Sequence, residues 1–254
     1  MKKIFTFLSI MVMGLFVFTA CEKQPITNPE NPGSGSGSDS DKPSEVQEEY
    51  VDLGLSVKWA TCNLGATKPE EYGSYFMWGD VDSTLKVFYG WDTYKYCAGT
   101  EKTLTKYCTD AAYGKDGFVD NKTELDSSDD AAAVILGGKW RMPTAAEADE
   151  LLDEKKCSWE YVTVNGVKGA RVTSKVEGYA GRSIFLPAAG FQLKGMTTAE
   201  QESGNYWCKS LCTNKQYTDP TANGCAFVHS VVQKMNGYMW QERFYGYTIR
   251  PVHP

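Results

Sequence analysis

Nucleophilic or metal-centred chemistry in this chain would have to come from eight cysteines and two histidines. His229 and His253 leave little room for a His-rich metal site or for several His-based proton transfers. The closest Cys/His pair, Cys225 and His229, is spaced i, i+4 on a segment that reads as a strand. That spacing puts both on one side of a sheet but about 13 Å apart, too far for a proton to pass. Cys208, Cys212 and Cys225 are the residues a zinc ion would need, yet they lack Cys-x-x-Cys spacing. Asp116, Asp120, Asn121, Glu124, Asp126, Asp129 and Asp130 gather oxygen ligands in one stretch, without the Asp-x-Asp-x-Asp-Gly order of a calcium loop. That stretch reads as a solvated loop whose last acids cap a helix. No catalytic residue, metal ligand or cofactor is therefore assigned, and the chain is expected not to be an enzyme.

The aromatic residues offer a different chemistry. With 15 Tyr, 11 Phe and 7 Trp, the chain is rich in flat apolar faces that stack on sugar C–H surfaces and anchor protein interfaces. They crowd two regions, Tyr72 to Tyr96 and Tyr238 to Tyr247. Trp59, Trp78, Trp140 and Trp207 are expected in the core. Trp91 and Trp240 have polar or glycine-containing neighbours and are expected to be partly exposed. With Tyr94 and Tyr245 they form the expected ligand-binding set. The 26 Lys and Arg against 32 Asp and Glu give a net charge of -6, which argues against nucleic acid, whose binding needs a dense basic footprint.

These residues must be carried by an exported chain. Lys2 and Lys3 precede an apolar run from Ile4 to Phe18 that is too short to span a bilayer. Phe18-Thr19-Ala20-Cys21 resembles a bacterial lipobox, so residues 1–20 are expected to be a lipoprotein signal peptide and Cys21 the lipidated residue. Loss of Lys2 and Lys3 takes the net charge to -8, so acyl chains rather than anionic lipid attraction must hold the protein to a membrane. Residues 21–47, with Pro25, Pro29, Pro32 and Pro43 around Gly33-Ser34-Gly35-Ser36-Gly37-Ser38, read as a flexible linker reaching roughly 25–30 Å. The expected place is the outer membrane, lipid-anchored, at the cell surface.

Residues 48–254 then form one domain. Glu49 to Cys62 alternates as an extended segment, with Gly54 a bulge or turn. Asp129 to Leu136, closed by Gly137-Gly138, predicts a short helix. Thr144 and Glu147 form a capping box that opens a second over Ala145 to Glu154. Tyr161 to Val164, an Asn165-Gly166 turn and Gly169 to Ser174 predict a hairpin. Arg182 to Pro187, Asn205 to Leu211, Gly224 to Val232 and Tyr245 to Val252 read as further strands. A strand, a helical middle and a run of strands predict an α+β domain of short antiparallel strands with one or two helices. The seven cysteines beyond Cys21 cannot all pair internally. A bridge from Cys97 to Cys108 could staple a loop, and Cys208 or Cys212 could reach Cys225. Connectivity among Cys62, Cys97, Cys108, Cys157, Cys208, Cys212 and Cys225 stays open.

Several motifs in fixed order complete the reading. Tyr50-Val51-Asp52-Leu53-Gly54-Leu55-Ser56-Val57-Lys58-Trp59-Ala60-Thr61-Cys62-Asn63 is followed by Tyr72-Gly73-Ser74-Tyr75-Phe76-Met77-Trp78-Gly79, Gly138-Lys139-Trp140-Arg141-Met142-Pro143-Thr144 and Ile184-Phe185-Leu186-Pro187-Ala188-Ala189-Gly190. Gly204-Asn205-Tyr206-Trp207 and Gly246-Tyr247-Thr248-Ile249-Arg250-Pro251-Val252 close the series. Together they resemble Bacteroidetes surface lipoproteins grouped with the Fibrobacter succinogenes major paralogous domain. The resemblance implies a C-type-lectin-like domain in which Val51–Trp59 lies beside Tyr247–Val252. It implies adhesion or binding of a glycan or protein partner. The same fold houses the formylglycine-generating enzyme, but the cysteine pair of that oxidase is missing here: Cys208 and Cys212 differ in spacing and place, and no cysteine precedes Arg243-Phe244-Tyr245-Gly246. The Glu-Pro-Asn and Trp-Asn-Asp calcium motifs of such lectins are absent from 48–254. A structural accessory subunit of a surface assembly is the remaining alternative.

Overall fold

The computed structural model describes residues 50–83, 90–211 and 223–254. The leader, Cys21, the linker and Cys212 lie outside the described residues. The segment read as extended with a bulge or turn at Gly54 folds back on itself there. The Asp52 carboxylate accepts the Gly54 N–H at 2.9 Å, and Gly54 takes a positive φ of 73°, where a side chain would also strike the Tyr179 ring. This Asx-type reversal splits the stretch into β1 (Tyr50–Val51) and β2 (Lys58–Ala60), which pair antiparallel with Val51 opposite Trp59.

Helix α1 (Ala131–Leu136) begins where the Asp130 carboxylate caps the Ala133 N–H at 3.1 Å and ends at Gly137, φ 69°. Helix α2 (Ala145–Leu152) opens on the expected capping box, with Thr144 and Glu147 satisfying each other's backbone N–H groups. Glu147 also grips Arg141 through two hydrogen bonds of 2.7 and 2.5 Å.

The rest is strand. β3 (Cys157–Val164) and β4 (Val167–Ser174) form the predicted hairpin. Asn165 and Gly166 both sit at positive φ, 49° and 83°, the geometry of a primed two-residue turn. β5 (Ser183–Pro187) joins the far side of β4, and β6 (Phe191–Leu193) with β7 (Met196–Thr198) makes a small hairpin. β8 (Ser203–Leu211), β9 (Asn223–Ser230) and β10 (Met235–Glu242) form a three-stranded antiparallel sheet with β9 in the middle. Finally β11 (Val252–His253) pairs with β2, Val252 opposite Trp59. Few helices and mostly antiparallel strands in small sheets make the domain α+β.

Two sequence expectations need correction. Tyr245 to Val252 is not a continuous strand. Gly246 to Val252 is buried throughout and threads between sheets, so its backbone groups find separate partners: Gly246 with Gln192, Tyr247 with Phe76, Thr248 with Asn205. Only Val252–His253 joins a ladder, with β2, and beyond it the Leu64 N–H donates to the Ile249 carbonyl at 2.9 Å. Strand β10 was not expected at all. Asn236-Gly237 has the composition of a turn, yet the chain reverses at residues 231–234.

The core has two main parts, and the β8–β9–β10 sheet separates them. Tyr206, Cys208 and Phe227 point to one side, with Leu53, Trp59, Leu151, Val172 and Leu186. Trp207, Leu211 and Ala226 point to the other, with Phe76, Trp78, Tyr247 and Ile249. Arg250, although fully buried, ties the end of β2 and the residues after it to β5. Its guanidinium donates to Asn63 Oδ1 (2.9 Å) and to the carbonyls of Ala60 (3.0 Å), Thr61 (2.6 Å) and Phe185 (2.8 Å). Such saturation offsets the cost of burying a charge.

Candidate functional site

The strand period of two places Ser203, Asn205, Val228, Ser230, Met235, Gly237, Met239 and Gln241 on the face of the sheet that carries Trp207. At one end this face is closed by Tyr247, which stacks on Trp207 with ring centroids 4.4 Å apart. At the other it opens into a groove of about 490 Å³. Phe191 and Tyr245 wall the groove with their rings 5.7 Å apart, and Tyr247 lies 6.2 Å from Phe191. Met239, 38% exposed, forms the facing rim, its Sδ accepting the Tyr247 hydroxyl at 3.4 Å. The floor is Gly237, whose missing Cβ leaves open space above the strand.

The polar groups of the groove are amides and hydroxyls: Asn205, Gln233, Asn236, Gln241, Ser203 and Ser230. Asn205 is structural, donating to the Gly190 carbonyl at 3.0 Å and Ser203 Oγ at 3.1 Å. Burial, followed by the charge of Glu242, raises the Tyr245 phenol above its ordinary value, so it stays a neutral hydroxyl. Among the described residues, no Asp, Glu, Lys or Arg lines the groove. His229 reaches its edge but is 1% exposed, and burial pushes its pKa down to about 4, leaving it uncharged at neutral pH. Its ring lies among Tyr206, Trp159 and Tyr161 on the core side of the sheet. The arrangement offers ring faces and neutral hydrogen-bonding groups, without a positioned acid, base or nucleophile.

Three of the expected ligand-binding set, Trp91, Tyr94 and Tyr245, gather around a third core cluster, that of Met77, Leu104 and Phe244. Tyr245 is half-exposed on the groove wall. Trp91 is half-buried, edge-on to Phe244 at 5.3 Å and to Tyr94 at 5.7 Å, and Phe244 in turn stacks on Tyr245 at 5.2 Å. Tyr94 is 3% exposed and packs into the cluster itself; its ring has no free face to offer. Trp240 sits in β10 opposite Cys225, and its side chain lies outside what is described. Among the tryptophans expected in the core, Trp59, Trp78 and Trp207 are fully buried, whereas Trp140 is only half-buried, packing on Tyr50 and His253. Phe191, Met239 and Gln241 escaped sequence reasoning; the alternation Met235, Gly237, Met239, Gln241 was the signal that could have found the last two.

The acidic stretch is occupied by its own neighbours. Asp129 takes Lys106 at 2.5 Å, Lys95 at 3.3 Å and the Tyr107 hydroxyl at 2.6 Å, and Asp126 takes Lys106 and Lys122. Despite an opposing burial cost, hydrogen bonds from Lys106, Tyr107 and Tyr96 hold the Asp129 carboxyl far below the usual carboxylate range. Asp120 accepts the Tyr107 and Cys108 N–H groups, both at 2.8 Å. Among the described residues no cluster of His, Cys, Asp and Glu has the arrangement to hold a metal ion.

The described cysteines are all thiols. Cys97 and Cys108 do not staple their loop: each S–H turns to a carbonyl, of Trp91 (2.6 Å) and Asp110 (3.1 Å) respectively. A second cavity, about 500 Å³, lies across the β9–β10 hairpin beside Trp159 and Tyr161, with Lys175, Lys234 and Glu154 on its rim. Among the described residues no helix is long and apolar enough to cross a membrane.

No family model matches the chain, and neither the curated proteins nor the solved structures provide a match.

Proposed function

We propose that this protein is a non-enzymatic binding module, tethered by lipid at Cys21 to the outer membrane and facing outward, whose groove beside Tyr245 takes an extracellular glycan. The observation that carries the reading is the uncharged groove of Phe191, Tyr245, Met239 and Gln241. Stacking rings next to neutral amides match the alternating C–H and hydroxyl faces of a neutral sugar. The chain is read as a C-type-lectin-like domain of the Bacteroidetes lipoprotein family; pairing of its two ends, Trp59 opposite Val252, supports that fold. A protein partner is the second reading, favoured by the exposed apolar residues Val232 (70%), Met235 (54%) and Met239 at the β9–β10 hairpin, since methionine-rich surfaces adapt to partners.

A glycan array and a pull-down with a soluble form starting after Cys21 test the reading. Neutral oligosaccharide hits support it; silence on the array together with a protein captured through the hairpin favours the second reading, and silence in both refutes the module. Detergent-phase partitioning that is lost in Cys21→Ala supports the anchor, and unchanged partitioning refutes it.

A further inference from the structure

Two of the described thiols face each other. β8 and β9 keep strict register up to Trp207 opposite Ala226. The next residue on each strand, Cys208 and Cys225, falls on the reverse face of the sheet, where regular pairing gives way to the bulge that ends with Leu211 opposite Gly224, and the two thiols are within hydrogen-bonding reach of each other. Both belong to the same core cluster, above the stacked pair Tyr206 and Phe227. They directly follow the last regular pair, Trp207 and Ala226, whose Cα atoms as facing residues of antiparallel strands are roughly 4.5–5.5 Å apart; a disulfide spans roughly 4.4–6.8 Å. Cys62, Cys97 and Cys108, by contrast, turn their sulfurs to a hydroxyl or a carbonyl.

The two differ in access. Cys208 is fully buried and Cys225 only partly. Burial first, and then the neighbouring Cys225 thiol, holds the Cys208 thiol well above its ordinary pKa, so Cys208 is a poor first nucleophile.

We propose that Cys208 and Cys225 are the site of an intramolecular disulfide, made by thiol–disulfide exchange that begins at Cys225. The oxidant is an external disulfide, of a low-molecular-weight thiol or of a carrier protein, such as an exported chain meets. The Cys225 thiolate attacks one sulfur of that disulfide, an S–S bond forms, and the external S–S bond breaks to release one thiolate. The Cys208 thiolate then attacks Cys225 Sγ in the mixed disulfide and expels the second external thiolate. The two protons lost by the cysteines end on the two released thiols, so one external disulfide becomes two thiols while one protein disulfide forms. The product ties β8 to β9 behind the groove.

The test is oxidised glutathione added to the reduced, folded full-length chain, with alkylation and peptide mapping under non-reducing conditions. The expected product is a Cys208 peptide linked to a Cys225 peptide. Persistence of both thiols, or a link from Cys225 to Cys212, overturns the proposal. The order of attack is read in two variants: Cys208→Ser is expected to hold one glutathione on Cys225, whereas Cys225→Ser leaves Cys208 at least about 10-fold slower to react than Cys225. Equal reactivity of the two thiols overturns the assigned order, and the wild-type map stands whether or not either variant folds.

Discussion

The two faces of the β8–β9–β10 sheet are built from the same strands and do different work. On the side of Tyr206, Phe227 and His229 the sheet packs against α2 and the β3–β4–β5 sheet, with a cavity at the hairpin end beside Trp159 and Tyr161, and its glycine has no room. A Cβ on Gly204 would lie 2.3 Å from His229 Nε2 and 2.8 Å from the Tyr206 ring. On the other side Gly237 faces nothing within 4 Å. A glycine forced by packing and a glycine that keeps a groove open thus occupy the two outer strands of one sheet. Close packing marks the face that stabilises, and unfilled space lined by rings marks the face available to a ligand.

Substitutions should separate the faces, the largest effects on the packed side. Phe227→Ala, which removes a ring stacked 4.9 Å from Tyr206, is expected to cost about 3–5 kcal/mol in denaturant unfolding. A cost below about 1 kcal/mol would mean the face is not closely packed. His229 gives the same face a pH signature. Its folded pKa near 4 lies below the ordinary value of 6.5, so between those values the unfolded chain binds the extra proton. Stability is then full above about pH 6.5 and falls with pH by about 3 kcal/mol in total by pH 4. His229→Gln should flatten that part of the curve; an unchanged slope would place the titration elsewhere.

The paired glycines sharpen the contrast further. Gly204→Ala is expected to destabilise by about 1–3 kcal/mol through overpacking, and Gly237→Ala by less than about 0.5 kcal/mol. Equal losses would erase the difference between the faces. On the open face, Tyr245→Ala should weaken glycan binding by about 10-fold while leaving unfolding within about 1 kcal/mol, because one wall of the groove is lost but little core.

Much of this architecture was legible in the residues. The Thr144–Glu147 capping box and the Asn165-Gly166 turn are local chemistry, so their elements needed no tertiary knowledge. Tyr245 to Val252 failed because its alternation satisfies a buried thread as well as a strand; only tertiary partners, such as Phe76 for Tyr247, decide between them. β10 failed because Asn236-Gly237 is punctuation in most sequences but here sits mid-strand. For the binding site the sequence offered aromatics without geometry. Tyr94 and Trp91 share composition with Tyr245, and only packing around Phe244 consigns Tyr94 to the core.

The central claim is that a neutral sugar enters the space above Gly237. Calorimetric titration of an array-positive neutral oligosaccharide into the wild-type protein and into Gly237→Phe tests it most directly. The expected result is at least about 30-fold weaker binding, roughly 2 kcal/mol, by a variant whose unfolding midpoint stays within a few degrees of wild type. Equal affinity in both proteins would contradict the claim and move the site away from this groove.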